Sequence, residues 1–158
     1  MIARVPMTTY ARIILLLAVA GLIVAGLLTS FHYSEAAEGR FCSAAAGCST
    51  VNTSVYSTVY GIPVAVLGLA GYASIAALAL LSRQRADIRR WLALAVFGVS
   101  LVGVLYSAYL TYLELYVIHA ICPWCVLSAA LMTVIFLATL RELRRRDATP
   151  SRARSSAT

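Results

Sequence analysis

Lysine is absent from this sequence. All 13 basic residues are arginine, and charged residues fill only 12% of the 158 positions. A soluble domain carries about 25% charged residues, so an ordinary water-soluble globule is excluded. Cysteine is confined to two pairs, Cys42 with Cys48 and Cys122 with Cys125. There is no motif for flavin or nicotinamide, and no C-x-x-C-H for covalent haem. Nothing is left over between the hydrophobic runs that is long enough to form a separate soluble domain.

What is present is four apolar runs, Ile13–Phe31, Ile62–Leu81, Leu92–Leu113 and Pro123–Leu140. Each is near the roughly 20 residues that a membrane-spanning helix needs. The expected fold is therefore an all-α, integral-membrane bundle of four transmembrane helices. It occupies residues 1–147 and is followed by a disordered, Arg- and Ser-rich tail over 148–158. The first run is too long for the core of a secretory signal and is expected to stay as a span.

The net charge of +7 alone would suit nucleic acid, but the arginines are placed otherwise. Arg4 and Arg12 precede the first run. Arg83, Arg85, Arg89 and Arg90 lie between the second and third, and Arg141, Arg144, Arg145, Arg146, Arg152 and Arg154 follow the fourth. Only Arg40 falls in the other two loops. Arginine marks the cytoplasmic ends of spans, so both termini and the middle loop are expected in the cytoplasm, against lipid rather than nucleic acid. All four cysteines then face the non-cytoplasmic side, where disulfides form and persist.

Cys122-Pro123-Trp124-Cys125 sits where a loop enters the fourth run. Proline suits the first helical position, which places Cys122 at the N-cap and Cys125 one turn inside, on the same face. A helix N-terminus favours thiolate, so the spacing is built for thiol–disulfide exchange. A structural disulfide or half of a metal site also fits the motif. His119, three residues earlier, is a candidate to steady the thiolate, and Glu114 is expected to end the third span facing water. Cys42 and Cys48 enclose a short Gly- and Ala-rich stretch that suits a pair that opens and closes; a structural bridge is the alternative.

Between the first two spans, Val51, Val55, Tyr56, Val59 and Tyr60 recur at helical spacing. They predict a short amphipathic interfacial helix that ends at Gly61-Ile62-Pro63. The glycines of the spans, among them Gly21, Gly26, Gly68, Gly71, Gly98 and Gly103, are expected to form helix-packing faces. Tyr106, Tyr109, Tyr112 and Tyr116 are expected to form an interfacial aromatic belt; the alternative is that some of them line a ring-shaped ligand.

Two dithiols on one side of a membrane predict a relay that passes electron pairs from one pair to the other. A membrane-dissolved quinone is the obvious acceptor. Cys125 lies about 4.5 Å deeper than Cys122 by the helical rise and is expected to face that acceptor, with Cys122 facing the mobile loop. Other readings of the same residues are a non-enzymatic membrane scaffold with structural disulfides and a four-thiolate metal site.

The chain resembles the vitamin K epoxide reductase family, specifically its bacterial members. The resemblance is carried by Cys42-x5-Cys48, Ser54, Tyr60-Gly61-Ile62-Pro63-Val64-Ala65 with Gly68, and Cys122-Pro123-Trp124-Cys125. It spans most of residues 10–140. The DsbB family shares the chemistry but carries its two cysteine pairs in the opposite order. The resemblance implies an oxidoreductase of the bacterial inner membrane. Such an enzyme reoxidises an extracytoplasmic DsbA-like thioredoxin-fold protein and reduces ubiquinone or menaquinone. It implies that Cys122 and Cys125 are the pair beside the quinone, with Cys125 forming the charge-transfer or covalent adduct. Cys42 and Cys48 become the shuttle pair, Cys48 being the partner of Cys122, and Ser54 a polar residue at the quinone. Since no thioredoxin domain is fused to this chain, the partner is expected to be a separate protein. The human enzymes carry a tyrosine where this chain has Ala129, which leaves vitamin K epoxide reduction outside what the resemblance implies.

Overall fold

A computed structural model of the chain describes residues 7–33, 47, 50–51, 54–85 and 87–155. Four long helices dominate it: α1 (Met7–Tyr33), α2 (Val64–Gln84), α3 (Arg89–Leu113) and α4 (Pro123–Ser155). All four are long and apolar enough to cross a membrane, over Thr9–Ser30, Val64–Gln84, Arg89–Ile118 and Pro123–Arg145. The helices run past the expected spans at several ends because polar and arginine-rich turns continue the helix beyond the apolar stretch. The tail expected to be disordered from 148 is helical as far as Ser155. Extending an existing helix is cheaper than starting one.

α1 packs along α2 and α4, and α3 packs along the same two helices. Lipid supplies no hydrophobic drive between helices, so close fit has to hold them together. Ile14, Ala18, Tyr72, Ile75, Val96 and Ile135 interlock in one buried cluster. Tyr72 is fully buried, and its hydroxyl donates to the Ser128 carbonyl at 2.8 Å, joining α2 to α4. It is seated against Gly21 of α1, where any Cβ would overlap the tyrosine ring. Gly103 likewise leaves room for Met132. Gly21→Leu should therefore expel Tyr72 and lower the stability of the detergent-solubilised protein by about 1–3 kcal/mol. Thermal unfolding against the wild type checks this.

Gly68, Gly71 and Gly98 behave differently from the expected packing faces. A Cβ at Gly71 or Gly98 would meet nothing within 4 Å, and at Gly68 only the Ala25 methyl at 3.9 Å. All three border an internal cavity; here the missing side chains leave space rather than bring helices together.

The connector before α2 departs from expectation in its second half. Thr50 and Val51 are helical and Val55–Ser57 form one 3₁₀ turn, after which β1 (Thr58–Val59) pairs antiparallel with β2 (Ile62–Pro63). Tyr60 and Gly61 form the hairpin tip with φ of 51° and 80°. Two successive positive φ values suit a two-residue hairpin. The β-branched Thr58, Val59 and Ile62 then favour strand over helix. Pro63 ends the hairpin and precedes the first residue of α2.

Candidate redox site at the start of α4

Pro123 opens α4, and Cys122 occupies the position before it as expected. The first N–H groups of a helix lack intrahelical acceptors. Cys122 Sγ meets one of them, accepting from the Cys125 N–H at 3.3 Å. The sulfur thus stands in for the oxygen of an ordinary N-cap residue. The Cys122 carbonyl accepts the Val126 N–H at 3.0 Å, closing the first turn. Both thiols are free. Cys122 is only 1% exposed, packed among Leu27, Leu28, Val51 and Trp124, while Cys125 is half-buried.

The Cys122 thiol is held below its ordinary range. The largest cause is the Cys125 side chain, which hydrogen-bonds its sulfur. Burial opposes this, the backbone N–H groups of Cys125 and Trp124 reinforce it, and the charge of Glu114 opposes it. The arrangement therefore favours the thiolate form of Cys122.

Glu114 corrects an expectation. It does not face water: it is 4% exposed, and its Oε2 accepts the Cys122 N–H at 3.2 Å. The Cys125 side chain is the other polar group beside its carboxylate. It lies on the same helix face as buried Val96 of α3, about five turns earlier. Past Leu113 the helix widens into a π turn, Glu114–Ile118, which ends at His119 in the left-handed region with φ 54°. The Ala120 N–H returns to the Glu114 carbonyl at 3.1 Å. π turns inside α-helices recur at functional sites. His119, the expected neighbour of Cys122, is exposed at this cap, and Glu114 occupies the place beside the sulfur. A signal was present in the sequence: Glu114 is the one acid in a long apolar stretch, and an ionisable group there marks function by default.

Cys122, Cys125, Ser54 and Glu114 open onto one cavity of about 580 Å³, walled by all four helices and the connector. Its lining is predominantly apolar, with a few convergent polar groups, as small-molecule sites are. Ser54 is brought to the cysteines as expected. Its hydroxyl donates to the Val51 carbonyl at 2.8 Å, leaving its acceptor lone pairs available to the cavity. Tyr106 lines the cavity, whereas Tyr109, Tyr112 and Tyr116 are exposed as belt residues would be.

Cys42 and Cys48 lie outside the described residues. Their neighbour Gly47 does not: it lies directly against the backbone of Ile121, so closely that a Cβ there would overlap that residue. The Val51 N–H donates to the Gly47 carbonyl at 3.0 Å, and Val51 packs on Cys122. Gly47 and Val51 are thus docked on the start of α4. In comparison with known families, the model of the vitamin K epoxide reductase family matches residues 12–140.

Proposed function

We propose that this chain, which belongs to the vitamin K epoxide reductase family and so is a multi-pass membrane thiol–disulfide oxidoreductase, forms disulfides in an extracytoplasmic partner and delivers the electrons to a membrane quinone. The observation that carries the proposal is the placing of Cys122 and Cys125 at a helix start that opens into a large apolar cavity inside the bundle.

The residues present fit a quinone. The cavity is apolar and of ligand size, with Ser54 and Glu114 as its polar groups near the cysteines. When bound, a quinone supplies a two-electron, two-proton acceptor. Cys125, half-buried and lining the cavity, is the sulfur that faces it. Cys122 is packed against Leu27, Leu28 and Val51, and in this reading Cys48 is its partner. In this reading Cys42 and Cys48 exchange with a DsbA-like thioredoxin-fold protein, and Cys48 then exchanges with Cys122. In each step a thiolate attacks a disulfide: Cys48 attacks the Cys122–Cys125 bridge, and the lowered Cys122 thiol suits Cys122 to leave when Cys42 closes on Cys48. The arginine pattern supports a bacterial plasma-membrane orientation with both termini cytoplasmic and the cysteines outside.

The test uses the purified full chain, a reduced thioredoxin-fold protein and a soluble quinone analogue. Quinone absorbance should fall as the partner becomes oxidised, and an impermeant thiol reagent should label reduced Cys42 or Cys48 on intact cells. A scaffold with structural bridges would show neither turnover nor labelling.

A further inference from the structure

We propose that Glu114 is the proton carrier of the Cys122–Cys125 dithiol, taking the Cys125 thiol proton as the disulfide forms and passing it to the reduced acceptor. This rests on the relay reading above and adds a reacting group to the same site.

The geometry leads to it step by step. Glu114 is placed beside both partners of the reaction: its Oε2 accepts the Cys122 N–H at 3.2 Å, and it lines the same cavity as Cys125. It lines the cavity with them and is nearly inaccessible to solvent from elsewhere. Its contact with the Cys122 N–H needs only an acceptor, which an amide or a carbonyl would provide. A carboxyl adds the capacity to gain and release a proton. A carboxylate held in a buried site is costly unless paired, and no arginine or histidine lines this cavity among the described residues. The titratable groups that face it there are Cys122, Cys125, Tyr56, Tyr72 and Tyr106. Tyr72 is committed to the Ser128 carbonyl. The thiol of Cys125 is the proton source beside it.

The step balances as follows. The Cys125 S–H bond breaks and its proton moves to the Glu114 carboxylate. Cys122 sulfur, already a thiolate, bonds to Cys125 sulfur. The electron pair leaves to the two-electron acceptor. One proton follows it from Glu114, and the second is drawn from the aqueous side to which Cys122 released its own. The dithiol thus loses two electrons and two protons, and the acceptor gains both.

Glu114→Gln keeps the shape and the hydrogen bond to the Cys122 N–H but cannot carry a proton. Two measurements are made on it. In the reduced full chain without quinone, the pH profile of Cys122 alkylation is followed by peptide mapping. The charge of Glu114 raises the Cys122 thiol, so the glutamine variant should shift the alkylation midpoint to lower pH. In turnover, reduction of a quinone analogue should slow at least about tenfold, and Glu114→Asp should recover part of it. An unshifted midpoint, or a glutamine variant within twofold of wild type, would overturn the assignment. So would slowed turnover with an unchanged pH profile, which would mean a structural role. If the wild type itself reduces no quinone, the relay reading fails and takes this inference with it. If the wild type turns over and Glu114→Gln does too, only the inference on Glu114 fails.

Discussion

Cys125→Ala should abolish quinone reduction, by at least about 10³-fold, while leaving the protein folded. Loss of one member of a group that reacts as a unit costs nearly the whole rate. The alanine variant removes the sulfur that closes the internal disulfide, so reduced Cys48 finds no bridge to attack and electrons cannot pass on to the acceptor. With reduced partner and quinone analogue present, Cys122 and the shuttle pair should stay reduced, visible as complete alkylation by a gel-shift thiol reagent. Folding should survive because the Cys125 backbone N–H, which caps on Cys122 Sγ, is untouched by the substitution. A second effect follows from the same side chain. The Cys125 side chain is the first cause of the lowered Cys122 thiol. Removing a hydrogen bond to the charged form disfavours that form, so the alkylation midpoint of Cys122 should move to higher pH. Glu114→Gln is expected to move it the other way, and the opposed pair makes a sharp check of the electrostatics. Turnover within tenfold of wild type in Cys125→Ala would remove this residue from the electron path.

The four helices were legible because a membrane imposes a coarse code. Length, apolarity and the spacing of arginines leave few alternatives. The start of α4 was legible for a local reason, since Pro123 fits just one end of a helix and fixes where Cys122 must sit. The connector was read less well. Val51, Val55 and Val59 keep helical spacing, but Thr58, Val59 and Ile62 are β-branched, and Tyr60-Gly61 turns the chain back on itself. A Tyr-Gly pair lacks the usual Asn-Gly or Asp-Gly signature of such a turn, so the period outweighed the turn. Glu114 was misjudged because a polar residue at the end of a span was read as facing water. It lies 18 residues, about five turns, beyond buried Val96, so the helical period itself carries it onto the buried face. The glycines divide for a reason that spacing cannot carry. Gly21 and Gly103 face a bulky partner on another helix, and Gly71 and Gly98 face none.

Gly47→Ala should slow the exchange between Cys48 and Cys122 by about 10²-fold. The argument starts from a contact between two backbones. A Cβ on Gly47 would overlap the carbonyl oxygen and the amide nitrogen of Ile121, and neither can swing aside as a side chain would. The segment must lift from the start of α4, taking with it the Gly47 carbonyl that holds the Val51 N–H and the Val51 side chain that covers Cys122. Cys48 follows Gly47 by one peptide bond. Sulfur exchange demands close, aligned approach, and a misplacement of about 1 Å can cost about 10²-fold. The measurement uses a chain that keeps only Cys48 and Cys122, with bridge formation after addition of a mild oxidant followed by a gel-shift reagent for free thiols. Gly26→Ala is the control, since nothing lies within 4 Å of a Cβ there, and it should leave the rate unchanged. Equal rates in Gly47→Ala and Gly26→Ala would mean that the docked segment does not set the approach of the two sulfurs. A selective slowing would tie the transfer step to a glycine chosen for the side chain it lacks.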